Sequence, residues 1–196
     1  MNKRVMMPNV IKESSSGYQA IEIIDELFRD REIACVGEIT AELVSSLILQ
    51  LRYLQKEDSE KEITLYINSP GGEVSSGLAL YDVMKAISCP VRTVCLGMAA
   101  SMAAVLFLSG DERSILPHAK VMIHDPLISE MPGGSALKLD QISRNLMKTR
   151  EIVGKIIAEH TGKTLEEVYE KTSKDSYFDA EESLAWGLAD RIITEM

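Results

Sequence analysis

The chain has 196 residues, of which 45% are hydrophobic and 26% are charged, which fits one globular domain with a sizeable core. Its formal net charge of −9 argues against nucleic acid or an anionic membrane surface as the main partner. No apolar run reaches the roughly 20 residues that a membrane-spanning helix needs, and the first twelve residues lack the apolar core of a secretory signal.

Residues 1–17 are predicted to form an N-terminal arm, followed by a single domain over residues 18–196. Apolar residues at helical spacing predict a first helix over residues 18–30, and Thr40 is placed to cap a second helix. Short apolar runs bounded by turn residues predict strands. The predicted strands cover residues 33–36, 63–68, 91–96, 113–116, 120–124 and 191–194.

Helical patterns alternate with these strands, which predicts the α/β class with a largely parallel sheet. Thr164 with Glu167 and Asp179 with Glu182 have the spacing of capping boxes, so each pair predicts the start of a short helix. A longer helix is predicted from Ser135 to Gly162, with an apolar stripe that must pack against its own or another subunit. The stripe comprises Leu139, Ile142, Leu146, Val153, Ile156 and His160.

The three cysteines, Cys35, Cys89 and Cys95, lie in or beside apolar strand-like runs. They are therefore expected to be buried, reduced thiols with no redox or metal role. A cytoplasmic location is the corresponding expectation.

The octapeptide Gly97-Met98-Ala99-Ala100-Ser101-Met102-Ala103-Ala104 stands between a strand-like run and an apolar helix. Gly97 would permit a sharp turn, and Ser101 would lie in the first helical turn. Free backbone N–H groups there favour the oxyanion that forms beside a serine nucleophile. Serine is also a common N-terminal cap, and this segment alone leaves both interpretations open.

His124 ends an apolar strand just before a loop, whereas His118 and His160 are expected to be surface or structural residues. The glycines of Ser69-Pro70-Gly71-Gly72 form either a plain tight turn or an oxyanion hole, since the Lys-Ser/Thr pair of a phosphate loop is missing. The spacing of residues does not identify an acid partner or a metal site. The available acids are Asp125, Asp140, Asp175, Asp179 and Asp190.

Four motifs together resemble the family of Clp protease proteolytic subunits (ClpP), in the family's order and over most of the chain from about residue 20. The first is Tyr66-Ile67-Asn68-Ser69-Pro70-Gly71-Gly72, and the second is the segment 97–103 around Ser101. The third is Met122-Ile123-His124 with Pro126 and Leu127. The fourth comprises Lys174-Asp175, Phe178, Ala180-Glu181-Glu182 and Gly187-Leu188.

The resemblance implies a serine endopeptidase with Ser101 as nucleophile, His124 as general base and Asp175 as the residue that orients the histidine. It also implies that the backbone N–H groups of Gly72 and Met102 form the oxyanion hole. In these roles the histidine takes the proton of the serine as attack begins, and the aspartate stabilises the imidazolium.

The fold implied by the resemblance is a crotonase-like ββα superhelix with a protruding helical handle at about residues 125–160. The implied assembly is two stacked heptameric rings, formed alone or with a paralogue, that degrade unfolded proteins in a closed chamber. An AAA+ unfoldase such as ClpX, ClpA or ClpC is the implied partner and would use ATP. No cofactor, metal, nucleic acid or membrane is expected for this chain.

Several positions depart from the family pattern. Asp125 stands where the family usually has glutamine, Lys174 replaces an arginine, and Ser173 replaces a residue that is often acidic in the family. The loop at 128–135 is about two residues longer than usual, and Gly17-Tyr18-Gln19 stands where many members have Gly-Glu-Arg. Lysine cannot form the bidentate contacts of arginine, which affects an ion pair between the rings that the resemblance implies. These departures suggest a divergent paralogue whose assembly, or activity when alone, differs from that of a standard member.

Two other functions are also compatible with the sequence. One is a ring subunit with little or no activity that supports an active paralogue. The other is a crotonase-type acyl-CoA enzyme, which shares the fold and also uses backbone oxyanion donors. The intact set of Ser101, His124 and Asp175 favours the peptidase over both.

Overall fold

The computed structural model describes residues 8–15, 17–128 and 133–196. A hairpin of β1 (Asn9–Ser14) and β2 (Gly17–Glu22) precedes the main body. The remaining elements follow in this order: α1 (Ile23–Arg29), β3 (Glu32–Val36), α2 (Ala41–Glu57), β4 (Ile63–Ser69), α3 (Val74–Ala86), β5 (Val91–Ala100), α4 (Met102–Leu108), β6 (Glu112–Ile115), β7 (Lys120–Ile123), α5 (Ala136–Thr161), α6 (Leu165–Thr172), β8 (Ser176–Phe178), α7 (Ala180–Trp186) and β9 (Arg191–Ile192).

The main sheet has the order β3-β4-β5-β6-β9, and all of these neighbours are parallel. The long strand β5 pairs with β6 along its first half and with β7 along its second half. The carboxyl ends of β4, β5 and β7 therefore meet at one edge of the sheet, where α/β proteins commonly place their sites. The predicted α/β class with a largely parallel sheet is confirmed.

Helix α4 forms the centre of the core, and each of its seven residues is buried. Strands β4 and β5 contribute alternate apolar residues to the same core cluster, including Leu65, Ile67 and Cys95. Cys35, Cys89 and Cys95 are buried free thiols, as predicted. Burial raises the pKa of Cys35 to about 11 and that of Cys95 to about 12, so both stay protonated near neutral pH.

Helix α5 packs on the body only through its second half, where Val153, Gly154 and Ile157 are buried. The first half of the predicted stripe is only partly covered in the single chain, where Ile142 and Leu146 are half-buried. Leu139 is 43% exposed, and its neighbour Leu137 is 82% exposed. The helix ends at Gly162 in the left-handed conformation, as its position after the stripe predicts. Of the loop before α5, residues 129–132 lie outside the described part of the chain.

The prediction of a helix over residues 18–30 is wrong for residues 18–22, because Gly17–Glu22 is a strand and α1 begins at Ile23. An extended partner is available, and Ile21 pairs with Val10 across the hairpin. Backbone pairing with this partner replaces the helical hydrogen bonds. The predicted boundary after Gly17 falls inside the hairpin, and the arm's first seven residues lie outside the described residues.

The sharp turn predicted at Gly97 is also misplaced, since β5 continues through Ala100 and the chain turns at Ser101. Gly97 instead permits a close approach of Asn68, whose Oδ1 would lie 2.9 Å from a Cβ atom at this position. Strand β8 was not predicted. No helix in the described part of the chain is long and apolar enough to cross a membrane.

Candidate active site

Ser101 occupies the sharp connection between β5 and α4, with φ of 55° and ψ of −122°. This backbone conformation is rare for a residue with a side chain and costs about 1–3 kcal/mol. Two features hold it in place: its N–H donates to the carbonyl of Met122 at 2.8 Å, and the helix that follows is entirely buried. Ser101 is the N-cap residue of α4, yet its hydroxyl makes no capping hydrogen bond. The hydroxyl is therefore available for another partner.

That partner is His124, which directly follows β7. Its Nε2 lies 2.8 Å from Oγ of Ser101. Its Nδ1 lies 3.5 Å from Oδ1 of Asp175, which precedes β8. The imidazole is largely buried, with 14% of the side chain exposed, whereas the Asp175 side chain is 61% exposed. The three side chains thus form a continuous Ser–His–Asp chain of contacts, with a longer contact on the aspartate side.

The other candidate acids have different partners. Asp140 pairs with Arg144 on α5, and Asp179 caps α7. Two further acids are held by arginines: Asp190 by Arg113 and Asp125 by Arg150. Of the five acids left open by the spacing, Asp175 is the one in contact with the His124 ring.

The other two histidines lie away from this site. His118 is exposed, and Nε2 of the half-buried His160 lies 3.0 Å from the hydroxyl of Tyr81. Both positions fit the expected surface or structural roles. Among the described residues, no group of three His, Cys, Asp or Glu side chains is placed to hold a metal ion.

The turn that contains Gly71 and Gly72 lies directly against Ser101. A Cβ atom on Gly71 would lie 2.8 Å from Cβ of Ser101 and 3.2 Å from the backbone nitrogen of Met102, so only glycine permits this approach. The turn is held by hydrogen bonds from the Ile39 N–H to the Gly71 carbonyl and from the Glu73 N–H to the Ile39 carbonyl. The N–H group of Gly72, between these two bonds, donates to neither of their acceptors.

Met102 is the first residue of α4, so its N–H has no acceptor one turn earlier within the helix. The hydrogen bonds that hold the turn and the helix therefore do not use the N–H groups of Gly72 and Met102. A donor to an oxyanion must be free in this way, and the oxyanion role of these two groups stays a prediction.

A small apolar pocket opens beside the hydroxyl of Ser101 and the ring of His124. It is lined by side chains from α3, α4, β7 and α5, including Val74, Val105, Ile123 and Val153. Its cavity volume is about 20 Å³, enough for little more than one water molecule, and its lining is mainly apolar.

Sequence reasoning missed a set of side chains next to the candidate site. Asp125 accepts hydrogen bonds from Arg150 and from Thr172, each at 2.6 Å. These residues are separated from Asp125 by 25 and 47 positions, so no local pattern relates them. The one signal in the sequence that could have indicated this set was Asp125 itself, because a charged side chain next to the end of a buried strand requires a partner.

The comparisons with known proteins agree on one family. The family model described as Clp protease matches residues 14–196. The chain is also 38% identical, over 190 residues, to a protein of Ligilactobacillus salivarius (strain UCC118) named ATP-dependent Clp protease proteolytic subunit. That alignment covers 96% of this chain and 95% of the relative.

Proposed function

The chain belongs to the Clp protease family, and we propose that it is the proteolytic subunit of an ATP-dependent Clp protease, acting as a serine endopeptidase on unfolded proteins. The observation that carries the proposal is the 2.8 Å contact between Nε2 of His124 and the Ser101 hydroxyl, at a backbone turn that is costly to keep. A serine held in this way beside a histidine is the arrangement that nucleophilic catalysis requires.

In the proposed reaction Ser101 attacks the peptide carbonyl carbon while His124 removes its proton. The negative charge that develops on the carbonyl oxygen is stabilised by the N–H groups of Gly72 and Met102. His124 then donates the proton to the leaving amine, and water hydrolyses the acyl-enzyme by the same route. General-base assistance contributes about 10²–10⁴-fold, and each oxyanion donor about 10²–10³-fold.

Asp175 has the role of orienting and stabilising the imidazolium that forms on His124. An ionised carboxylate near Nδ1 favours the tautomer in which Nε2 is free to accept the serine proton. The apolar side chains that line the small pocket beside Ser101 would contact the substrate next to the cleaved bond. This would give a preference for apolar residues there.

The proposed assembly is two stacked heptameric rings, and α5 is the proposed handle between them. Leu137, Leu139 and Met147 in the first half of this helix are exposed in the single chain and would gain from burial against another subunit. An AAA+ unfoldase is the proposed partner that uses ATP and supplies the unfolded substrate. The cytoplasm is the proposed location.

A ring subunit with little activity of its own is the second candidate function. The observation in its favour is the 3.5 Å contact between His124 and the exposed Asp175, which is longer than a hydrogen bond usually is. If the isolated chain assembles into double rings and cleaves small peptides at rates usual for peptidases, this candidate and the hypothesis of a functionally divergent paralogue are both wrong.

The test is labelling with a fluorophosphonate probe, which reacts covalently with activated serines. We expect the wild-type protein to be labelled, and the Ser101→Ala and His124→Ala variants to lose labelling and peptide cleavage. The matched control is Ser45→Ala, which removes an exposed serine hydroxyl from α2 and should change neither. Labelling that persists in Ser101→Ala would contradict the proposal, as would an assembled wild-type protein that is never labelled. The second outcome would favour the ring-subunit or acyl-CoA alternatives.

A further inference from the structure

The carboxylate of Asp125, the residue directly after His124, joins three elements of the fold. Its Oδ2 accepts from Nε of Arg150 on α5, and its Oδ1 accepts from the hydroxyl of Thr172 at the end of α6, each at 2.6 Å. Its backbone N–H donates to the carbonyl of Thr172 at 2.7 Å. Asp125 therefore fixes the end of β7 to the end of α6 by side chain and backbone together.

The guanidinium of Arg150 is itself held in one orientation. Its central carbon lies 3.7 Å from the centre of the Tyr169 ring, so it stacks on that ring as well as pairing with the acid. Tyr169 in turn packs closely on α5, because a Cβ atom at Gly154 would lie 2.8 Å from its ring. Only 21% of the Arg150 side chain and 33% of the Asp125 side chain are exposed. A pair fixed in this way is less weakened by solvent than an exposed ion pair.

The same contacts lie beside both His124 and Asp175 in the sequence, and so bear on the distance between these two side chains. Thr172 lies three residues before Asp175, and the Ser176 hydroxyl is bonded to the carbonyl of Lys171 at 2.7 Å. Within the described residues, Asp175 has no other side-chain partner than His124. The position of the Asp175 carboxylate relative to the imidazole is thus set by the backbone on either side of Asp175. Asp125 holds that backbone in place through its hydrogen bonds to Thr172.

We propose that Asp125 and Arg150 are positioning residues for peptide hydrolysis: their ion pair couples helix α5 to the His124–Asp175 contact. This inference rests on the proposed peptidase function of Ser101 and His124. Neither residue touches the reacting atoms, and both act by keeping the carboxylate of Asp175 within reach of Nδ1. Displacement of a catalytic group by about 1 Å can cost up to about 100-fold in rate, so a small shift is measurable.

The first experiment replaces Arg150 in the full-length protein and measures kcat and KM for a small peptide, with the rate of fluorophosphonate labelling. Arg150→Met is expected to lower kcat and the labelling rate about tenfold, with KM changed less than about twofold. Arg150→Lys retains a charge and should recover part of the loss. Asp125→Asn should resemble Arg150→Met, since it keeps an acceptor for Thr172 and removes the ion pair. Thermal unfolding and sedimentation show which variants are folded and assembled.

The matched control is Lys155→Met, which removes an ion pair of the same 2.6 Å length on the same helix. Its partner Glu151 also lies on α5, so the pair does not connect α5 to the site. We expect activity within about twofold of the wild type. If Arg150→Met and Asp125→Asn are folded and behave like this control, the inference is overturned while the peptidase function stands.

A double-variant cycle separates positioning from general structural support. In an Asp175→Ala background the contact that Arg150 is inferred to position is already gone. Adding Arg150→Met should then reduce kcat by less than about twofold further. Losses that multiply fully would overturn the inference, because they would show that Arg150 acts independently of Asp175. A wild-type protein without Ser101-dependent labelling would overturn the proposed function instead.

Discussion

The side chain of Met102 occupies the space that a Cβ atom on Gly77 would need, and such an atom would overlap Cγ of Met102. Gly77 lies on α3 and is buried, whereas Met102 begins α4 directly after the candidate nucleophile. The side chain that carries one proposed oxyanion donor is therefore fitted against a helix from another part of the chain.

Gly77→Ala is accordingly expected to damage the site as well as the core. The added methyl group must displace the Met102 side chain, at a cost of about 1–3 kcal/mol in the free energy of unfolding. The shift should also lower kcat, because the Met102 N–H must point at the developing oxyanion. Chemical denaturation and peptide-cleavage kinetics measure the two effects. Gly133→Ala places its methyl group in open space and is the control. A Gly77→Ala protein with normal kcat would show that the site tolerates this displacement.

Gly72→Ala tests the other proposed oxyanion donor. A Cβ atom there would overlap the backbone carbonyl of Ile39, which cannot move without opening the turn. We expect kcat to fall about 10²–10³-fold, the loss usual for one oxyanion donor. Gly37→Ala is the matched control, because Gly37 also has a positive φ, of 87°, but has open space around it. The role of the Gly72 N–H in catalysis is contradicted if the two variants lose equal activity.

The stability of the protein should depend on His160 at mildly acidic pH. Burial lowers the pKa of His160 below its ordinary value of 6.5, and the positive charges of Lys85 and Arg113 lower it further. The unfolded chain then binds this proton more readily than the folded protein. The stabilisation that depends on neutral His160 is complete above about pH 6.5 and is lost as the pH falls through the lower, folded-state pKa.

Urea unfolding at about pH 7.5 and about pH 5.5 measures this effect in the wild type and in His160→Gln. Glutamine does not titrate and can still bond to the hydroxyl of Tyr81. The wild type should lose more stability between the two pH values than the variant does. Equal losses would mean that other groups cause the pH dependence.

Arg31 is expected to be a major stabilising residue although it lies far from the candidate site. Its guanidinium donates to the carbonyls of Leu54, Asp58, Lys61 and Glu62, each at 3.0 Å, and so satisfies the end of α2 and the loop after it.

Arg31→Met should lower the free energy of unfolding by about 2–4 kcal/mol, since two part-buried and two exposed carbonyls lose their donor at once. Arg29→Met removes an exposed arginine two residues earlier and should change stability by less than about 0.5 kcal/mol. Thermal or urea unfolding measures both. A loss in Arg31→Met no larger than in Arg29→Met would show that water replaces the guanidinium at these carbonyls.

Local patterns in the sequence predicted most of the elements correctly. Thr40 caps α2, and both predicted capping boxes are present at α6 and α7. These features depend on residues three positions apart, so the sequence contains everything they need. The predictions of the first helix and of the turn at Gly97 were wrong because these conformations do not depend on local residues alone. A strand partner and the Asn68 side chain decide those conformations, and both lie outside the local segment.

The candidate site was predicted in unequal parts. The four motifs led to Ser101, His124, Asp175 and the two backbone donors through resemblance, whereas the residues alone left the cap, the turn and the acid undecided. The structure brings Ser101 and His124 to 2.8 Å and leaves Asp175 as the acid beside the ring. Their catalytic roles stay predictions until the serine and histidine variants are measured.

The sequence by itself determined the family, the α/β class and the identity of the residues proposed for catalysis, because each motif and each local propensity depends only on residues near one another in the chain. Only the tertiary structure shows that Ser101 has a positive φ and that its hydroxyl contacts His124 instead of capping α4. Only the tertiary structure shows that Asp125, next to His124, pairs with Arg150 on α5. Each of these depends on groups distant in sequence. Parallel strands bring such groups together at their carboxyl ends, and a fully buried helix holds the strained turn between them.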